Sequence, residues 1–331
     1  MLSAGDQRAL LRWYDGHQRD LPWRATSDPW AILLSEILLQ QTQVVRGRVF
    51  WERMMAAFPT VQSMASASVD EVLKAWEGAG YYSRARRLHA LSQTVVLPEA
   101  KGGHGGRLPS DAATLLTLPG IGPYTAAAVA SIAFSEAAAC VDGNVRRVMA
   151  RLTATAEPTA REVQAWADEV LSHERPGDWN QAVMELGATV CTPKRARCTE
   201  CPLQASCRGM DAPERYPVQR RTTAKAMTLH ANVEVDGDGR PVLHQRPATG
   251  LFAGLWGPPY GDQAPQGEGW LHVGQVKHAL SHRKITVEVH VQTQVVNQGI
   301  DPATVACSVM DTNVLALALE GFHRSADARN S

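Results

Sequence analysis

The sequence predicts a mainly helical domain over residues 1–210, followed by a smaller α+β domain over residues 226–331. Apolar residues recur at helical spacing throughout the first region, which ends in a cluster of four cysteines. The prolines and basic residues of 211–225 are typical of an interdomain linker. Short segments in which apolar and polar residues alternate follow the linker, and this alternation indicates strands.

Ten helical segments are predicted in the first domain, and two of them carry clear start signals. Asp28-Pro29 places a capping carboxylate before a first-turn proline, and Ser110-Asp111 precedes another helix. Four glycines in residues 101–107 predict a surface loop. The segments are Leu10–Trp13, Trp30–Leu39, Val44–Phe58, Val69–Trp76, Arg84–Val95, Ala112–Leu116, Tyr124–Phe134, Val145–Leu152, Val163–Leu171 and Ala182–Val190.

Three β-type segments are predicted in the second domain. They are Thr228–Val235, Pro241–Gln245 and Lys284–Val291. The intervening Asp236-Gly237-Asp238-Gly239 favours a hairpin turn between the first two. These segments predict a smaller domain with an α+β fold of its own, and no internal repeat is evident in the chain.

Composition and charge exclude several classes of protein. The 331 residues contain equal numbers of basic and acidic side chains, but basic residues are in excess before residue 225 and acidic residues after it. Asp6 and Arg8 interrupt the start before any apolar signal sequence develops. The apolar stretch Ile32–Leu39 is too short to span a bilayer and contains Glu36. We therefore expect a cytoplasmic, monomeric protein that does not associate with membranes.

Four cysteines close the helical region at intervals of six, two and five residues: Cys191, Cys198, Cys201 and Cys207. Four thiols this close together, in a chain without an export signal, indicate a metal centre rather than disulfides. An all-sulfur set suits tetrahedral zinc or an iron–sulfur cluster. The spacing favours a [4Fe–4S] cluster over zinc, because only one close-spaced pair is present. The segment from Cys191 to Lys225 is rich in Lys and Arg and is therefore suited to binding the phosphates of a nucleic acid.

A glycine-rich turn joins two helical segments at Leu118-Pro119-Gly120-Ile121-Gly122. Gly120 and Gly122 flank one apolar residue, which permits a tight turn with backbone N–H groups directed outward at the start of the next helix. Such groups can bind a phosphate oxygen without a positive side chain. A turn of this kind by itself is more often purely structural, and the downstream cysteines favour the binding interpretation.

The motifs together resemble a known family. A helix–hairpin–helix, then VDGN at Val141–Asn144, then the C-x6-C-x2-C-x5-C spacing are similar to the endonuclease III superfamily of DNA glycosylases. LSEILLQQTQV at Leu34–Val44 and GAGYYSRARRL at Gly78–Leu88 resemble its MutY branch of adenine glycosylases. The likeness covers residues 8–210 and implies a helix–hairpin–helix glycosylase fold with a [4Fe–4S] loop. A six-helix module would occupy residues 24–133, and an iron–sulfur module residues 1–23 and 134–210.

The same resemblance implies the activity and its setting. It implies excision of adenine mispaired with 8-oxoguanine or guanine in double-stranded DNA, as the first step of base excision repair. An enzyme of this kind would leave an abasic site and associate with the bacterial nucleoid.

Two carboxylates are the candidate catalytic groups. Glu36 lies within an apolar helical run, where burial would raise its pKa and keep it protonated, although a surface position is also compatible with the sequence. The resemblance makes Glu36 the acid that protonates the departing adenine. Asp142 could be an ordinary N-cap. The resemblance makes it the carboxylate that stabilises the sugar cation, with Asn144 as its support.

Tyr124 decides between two product types. Bifunctional members of the superfamily carry a lysine at the matching position, which attacks the sugar and forms a Schiff base before the strand is cut. A tyrosine cannot form an imine. The resemblance therefore implies a monofunctional glycosylase that releases the base and leaves the strand intact.

Five further residues match positions that contact DNA or the extruded base. Gln41 and Tyr81 match residues that enter the duplex beside the mispair, although Tyr81-Tyr82 could equally be core aromatics. Trp23, Arg24 and Glu185 match residues around the adenine pocket. Packing for Trp23 and a surface position for Glu185 remain open.

Residues 226–331 resemble a Nudix-like domain that recognises 8-oxoguanine. Ser281 and His282 stand where that domain carries Phe-Ser-His, and Leu280 replaces the phenylalanine. Glu268 and Glu288 are the only glutamates between Glu234 and Glu320, so the acidic signature of a Nudix hydrolase is absent. This domain is expected to recognise rather than to hydrolyse.

Two alternatives stay open on the sequence. One is a glycosylase of the same superfamily that removes another mismatched base, such as thymine. The QQTQ motif and the Nudix-like segment count against it. The other is a non-catalytic, redox-responsive DNA-binding protein that uses the cluster as a sensor. Such a protein would need neither Glu36 nor Asp142.

Overall fold

The computed structural model describes residues 2–218, 224–280, 283–296 and 298–330, without the side chains of 327–330. The chain divides into two compact units. The first contains Met1–Ser66 and Arg87–Arg220, and the second contains Ala67–Arg86 and Arg221–Ser331. The short stretch 67–86 therefore belongs with the C-terminal part of the chain in space, although it lies within the helical part of the sequence.

Eleven helices precede the first strand in the described residues, and all ten predicted helical segments are confirmed among them. Helix α4 was not predicted; it is only six residues long and too short to show a clear period. Helix α5 lies in the second unit, and the boundary between the units falls within α6. The helices are α1 Ala4–His17, α2 Pro29–Leu38, α3 Val44–Ala57, α4 Val61–Ser66, α5 Val69–Ala75, α6 Ser83–Val96, α7 Ala112–Leu115, α8 Pro123–Phe134, α9 Gly143–Thr153, α10 Ala160–Val170 and α11 Pro176–Thr189.

Helix α2 is the central helix of the first unit. The Asp28 carboxylate accepts a hydrogen bond from the Trp30 backbone N–H, and Pro29 occupies the first turn, as the sequence predicts. Every residue from Trp30 to Leu38 is buried, and the helix packs against α3 and α8. Because no face of α2 is left to solvent, the surface position considered for Glu36 is wrong.

A second core joins α1, α9, α10 and α11. Leu10, Val148, Trp166 and Val183 are among its buried residues, and Cys191, Cys201 and Cys207 pack against it. Helix α9 begins at its N-cap Asp142, whose side chain accepts from the backbone N–H groups of Asn144 and Val145. This core therefore fixes both the start of α9 and the cysteine-bearing segment that follows α11.

The C-terminal part of the second unit forms a four-stranded sheet in the order β4-β1-β6-β5. Strand β6 is parallel to β1 and antiparallel to β5, and β4 is antiparallel to β1. Helix α12, Val309–Asn330, packs its buried apolar face on the sheet. The strands are β1 Lys225–Asp236, β2 His244–Gln245, β3 Trp256–Gly257, β4 Tyr260–Gly261, β5 Trp270–Leu280 and β6 Arg283–Val296.

The first and third predicted strands and the turn after the first are confirmed, and the second predicted strand forms only in part. Asp236–Gly239 forms a turn, and Val235 bridges Pro241 across it. The Val242 backbone N–H also donates to the Glu234 carbonyl of β1 at 2.9 Å, so the predicted hairpin turn is confirmed, and His244–Gln245 then pairs with β3 as the short strand β2. Strand β5 and helix α12 were missed. The alternation of β5 is interrupted by a bulge between His272 and Gly274, which hides its period.

Candidate active site

Most of the residues predicted to act on the base line one cleft in the first unit. The cleft has a volume of about 430 Å³. Helices α2, α8 and α11, the start of α9 and the loops around residues 19–24 and 39–44 form its walls. Its lining includes Trp23, Arg24, Glu36, Gln41, Tyr124, Asp142, Asn144 and Glu185.

Glu36 is the buried acid of the cleft, with 8% of its surface exposed. Its pKa is raised to about 7: burial is the largest cause and raises the pKa, a hydrogen bond from Tyr124 lowers it, and the negative charge of Asp142 raises it. The Tyr124 hydroxyl donates to Glu36 Oε2 at 2.7 Å and lies 3.3 Å from Met184 Sδ. A carboxyl with this pKa is substantially protonated at neutral pH, so it can donate a proton there.

The side chain of Asp142 accepts three hydrogen bonds at the start of α9. Its Oδ1 accepts from the backbone N–H groups of Asn144 and Val145, each at 2.8 Å, and its Oδ2 accepts from Asn144 Nδ2 at 2.7 Å. Arg147 Nη2 donates to Asn144 Oδ1 at 2.7 Å, which fixes the amide so that its nitrogen faces Asp142. The N-cap role is therefore correct, and the same geometry aims the carboxylate into the cleft.

Glu185 is the second buried carboxylate of the cleft and is fully buried. Arg19 Nε and Arg24 Nη2 lie 2.7 and 2.8 Å from its two oxygens. Burial alone would raise the pKa of Glu185, but the hydrogen bonds from Arg19 and Arg24 outweigh it and lower the pKa to about 2. The surface position considered for Glu185 is therefore wrong. Glu185 stays ionised, which leaves Glu36 as the carboxyl that can donate a proton.

Trp23 packs against a neighbouring ring and also lines the cleft. Its ring is buried and meets Trp51 edge-on, with 6.0 Å between the ring centroids. Because Trp51 Nε1 donates to the Ala31 carbonyl of α2 at 2.9 Å, this pair braces the cleft against the helix that carries Glu36.

Gln41 and Tyr81 share an unusual backbone conformation. Gln41 is exposed at the cleft with φ +60°, and Tyr81, in the second unit, has φ +48° with 44% of its surface exposed. Non-glycine residues in this left-handed region are uncommon and are held there by their surroundings. Tyr82 is buried, so the core interpretation of the tyrosine pair applies to Tyr82 and not to Tyr81.

Gly120 and Gly122 lie in the turn between α7 and α8, away from the lining of the cleft. Gly120 has φ +79°, and a Cβ there would come within 2.6 Å of the Arg87 Cβ, so the turn requires glycine. Gly122 is the N-cap of α8, the helix that carries Tyr124 into the cleft. The hairpin is thus joined to the cleft through one helix.

The four clustered cysteines line a separate cavity together with Arg151 and Met210. Within the described ranges, no group of three or more His, Cys, Asp or Glu side chains is arranged to hold a metal ion. The donor set is nevertheless entirely sulfur around one shared cavity. Arg151 Nη1 donates to Cys191 Sγ at 3.3 Å, which gives the cavity a buried positive charge. These residues fit a negatively charged group held by thiolates.

The structure leaves two predicted residues without a placement and adds two residues to the cleft that were not predicted. Ser281 and His282 lie outside the described residues, so their placement stays a prediction. Arg19 and Met184 were missed: Arg19 lies in a loop without periodicity, and Met184 is one of many apolar residues of α11. Among the helices that the structure describes, none is both long and apolar enough to cross a membrane.

Comparisons with known proteins show which family the chain belongs to. The model of the HhH-GPD superfamily of base excision DNA repair proteins matches residues 34–173. An adenine DNA glycosylase of Rattus norvegicus is 38% identical over 363 residues, which cover 86% of this chain and 69% of the relative. The chain belongs to the adenine DNA glycosylase family. This adenine DNA glycosylase is therefore an enzyme of base excision repair that acts on DNA.

Further relatives agree with this assignment. The adenine DNA glycosylase of Mycolicibacterium smegmatis is 43% identical over 207 residues, covering 61% of this chain and 69% of the relative. A solved thermostable thymine-DNA glycosylase is 28% identical, with a TM-score of 0.57, over 62% of this chain and 94% of that one. The helix–hairpin–helix fold is thus confirmed. The sequence relatives identify an adenine glycosylase rather than a thymine glycosylase or a non-catalytic binding protein.

Proposed function

We propose that this glycosylase excises adenine opposite 8-oxoguanine or guanine, with Glu36 as the general acid and Asp142 as the carboxylate that stabilises the sugar cation. The observation that carries the proposal is the contrast between the carboxylates of the cleft. Glu36 has a pKa of about 7, whereas Asp142 accepts three hydrogen bonds at the start of α9. Pairs of carboxyls that differ in this way divide the acid and charge-stabilising roles in glycosidic cleavage.

The bond that breaks joins the sugar carbon C1′ to the adenine nitrogen. Its electron pair leaves with the base, and a proton from Glu36 neutralises the departing base. The fixed Asp142 carboxylate faces the positive charge that develops on the sugar. Water then adds to C1′ and returns a proton to the Glu36 carboxylate, which leaves an abasic site.

Tyr124 supports this chemistry without forming a bond to the sugar. Its hydroxyl donates to Glu36 and thereby orients the acid. Burial raises the pKa of Tyr124 well above its ordinary value, so the hydroxyl keeps its proton. Since no amine stands at this position, we infer that the enzyme does not form a Schiff base and does not nick the strand.

Cys191, Cys198, Cys201 and Cys207 would hold a [4Fe–4S] cluster. Such a cluster pins the loop that carries its ligands and can exchange an electron. Burial raises the pKa of Cys201 to about 11, so this thiol keeps its proton without the metal and would release it when the metal binds. The basic residues of this segment would then be presented to phosphates on an ordered surface.

Gln41 and Tyr81 are the proposed wedge residues beside the extruded adenine. Both combine surface exposure with a left-handed backbone, a conformation that the surrounding structure must hold in place and that is concentrated at functional sites. An amide and a ring can replace the stacking that the flipped nucleotide gives up. Ser281 and His282 are proposed to read the 8-oxoguanine strand.

The test uses labelled duplexes that carry 8-oxoguanine:adenine, guanine:adenine or guanine:thymine. The wild-type enzyme should release adenine from the first two and no thymine from the third. Strand breaks should appear only after alkali. Asp142→Asn should retain duplex binding and lose excision, because a neutral amide stabilises no cation. Thymine release, or strand breaks without alkali, would contradict the proposal.

A further inference from the structure

Arg151 is a buried arginine that the proposed chemistry leaves unused. It lies near the end of α9 and has 3% of its surface exposed. Its Nε donates to the carbonyls of Pro213 and Tyr216 at 2.9 and 3.1 Å. Its two terminal nitrogens donate to the carbonyls of Thr192 and Pro193 at 2.8 and 3.3 Å. One guanidinium therefore ties the segment after Cys191 to the segment beyond Cys207.

The charge of Arg151 has an unusual setting. In the described part of the chain, the hydrogen-bond partners of its guanidinium are these four carbonyls and Cys191 Sγ, which Nη1 approaches to 3.3 Å. Its own backbone carbonyl accepts from Cys207 Sγ at 3.5 Å. Carbonyl dipoles solvate a buried cation but do not neutralise it, and an unneutralised buried charge is costly. The sulfur atoms supply the negative charge once they are thiolates.

We propose that Arg151 is the counter-cation of the iron–sulfur cluster and sets its reduction potential; this inference rests on the cluster proposed above. A thiolate-bound cluster carries net negative charge, which grows on reduction. A fixed positive charge beside it stabilises the reduced state more than the oxidised state, so it raises the potential. An N–H donated to a ligand sulfur acts in the same direction. Arg151 is thus a positioning residue that also protects the cluster against oxidation.

The experiment compares three variants of the holoenzyme. Arg151→Gln removes the charge, and Arg151→Lys keeps the charge but cannot span all five acceptors. Arg146→Gln is the matched control, because Arg146 lies exposed on the same helix and donates to the Pro158 carbonyl at 3.0 Å. The measurements are the midpoint potential by protein-film voltammetry and the rate of iron loss to a chelator in air. Circular dichroism checks folding.

The expected order of midpoint potentials is wild type, then Arg151→Lys, then Arg151→Gln as the most negative. Iron loss should accelerate severalfold in both variants, and Arg146→Gln should match wild type. A wild-type midpoint and iron-loss rate in either folded Arg151 variant would overturn the inference, as would an equal shift in the control. Wild-type protein that contains no iron would instead refute the cluster itself.

A measurement on the unaltered protein decides the question if neither Arg151 variant folds. Arginine labelled with 15N in the guanidinium group should give a nuclear coupling to the paramagnetic, oxidised cluster, because Nη1 lies 3.3 Å from a ligand sulfur. Absence of that coupling would overturn the inference.

Discussion

The hydroxyl of Tyr124 lowers the pKa of Glu36 relative to the value that burial alone would give it. Burial is the largest influence and raises this pKa, the hydrogen bond from Tyr124 stabilises the carboxylate and lowers it, and the net pKa is about 7. The bond is 2.7 Å long and lies inside the cleft. Replacing Tyr124 with phenylalanine removes this donor, so the pKa of Glu36 should rise further.

The size of the effect follows from the strength of such a bond. A hydrogen bond to a charged group contributes about 1.5–3 kcal/mol, and about 1.4 kcal/mol corresponds to a factor of ten in a protonation equilibrium. The rate of adenine release should fall above neutral pH in the wild-type enzyme as Glu36 ionises. In Tyr124→Phe this decline should begin about one pH unit higher, or more. Single-turnover release of adenine across pH measures it.

Met184→Leu is the matched control, because it removes the other neighbour of the hydroxyl and leaves the bond to Glu36 in place. Its profile should decline at the same pH as that of wild type. If the decline in Tyr124→Phe began at or below the wild-type pH, the hydroxyl would not be stabilising the carboxylate, and the reasoning would be wrong.

Three further predictions test the proposed roles. Glu36→Gln should bind an 8-oxoguanine:adenine duplex but release almost no adenine. The folded-state pKa of Glu36, about 7, lies above its ordinary value of 4.5, so the free energy of unfolding of the wild type falls as pH rises between these two values. At pH 8, urea unfolding should therefore show Glu36→Gln to be more stable than wild type by up to about 3 kcal/mol. Tyr124→Lys should become trappable on DNA by borohydride, unlike wild type, because an amine can form an imine; equal trapping of both would argue against this. Ser281→Ala with His282→Ala should reduce the preference for 8-oxoguanine over guanine by roughly 1–3 kcal/mol in competition assays, and equal loss on both mispairs would exclude recognition.

Much of the first unit was predictable because its signals are local. Asp28-Pro29 and Asp142 cap helices where the sequence indicates them, and Gly120 stands where the turn needs a positive φ. Capping and turn formation involve residues within a few positions of one another, so the sequence alone contains both partners. The same holds for the spacing of the cysteines, which determined that their side chains could share one cavity.

The tertiary structure decided what depends on distant partners. The sequence left Glu36 and Glu185 with both buried and surface positions open, and only packing shows that both are buried, with opposite pKa shifts. Arg19 pairs with Glu185 across 166 positions, and residues 67–86 join the C-terminal unit. Periodicity reports which face of an element is apolar but not what covers that face. Desolvation and charge pairing depend on the residues that pack against that face. The sequence therefore determined the elements and motifs, while packing determined the pKa values of the carboxylates.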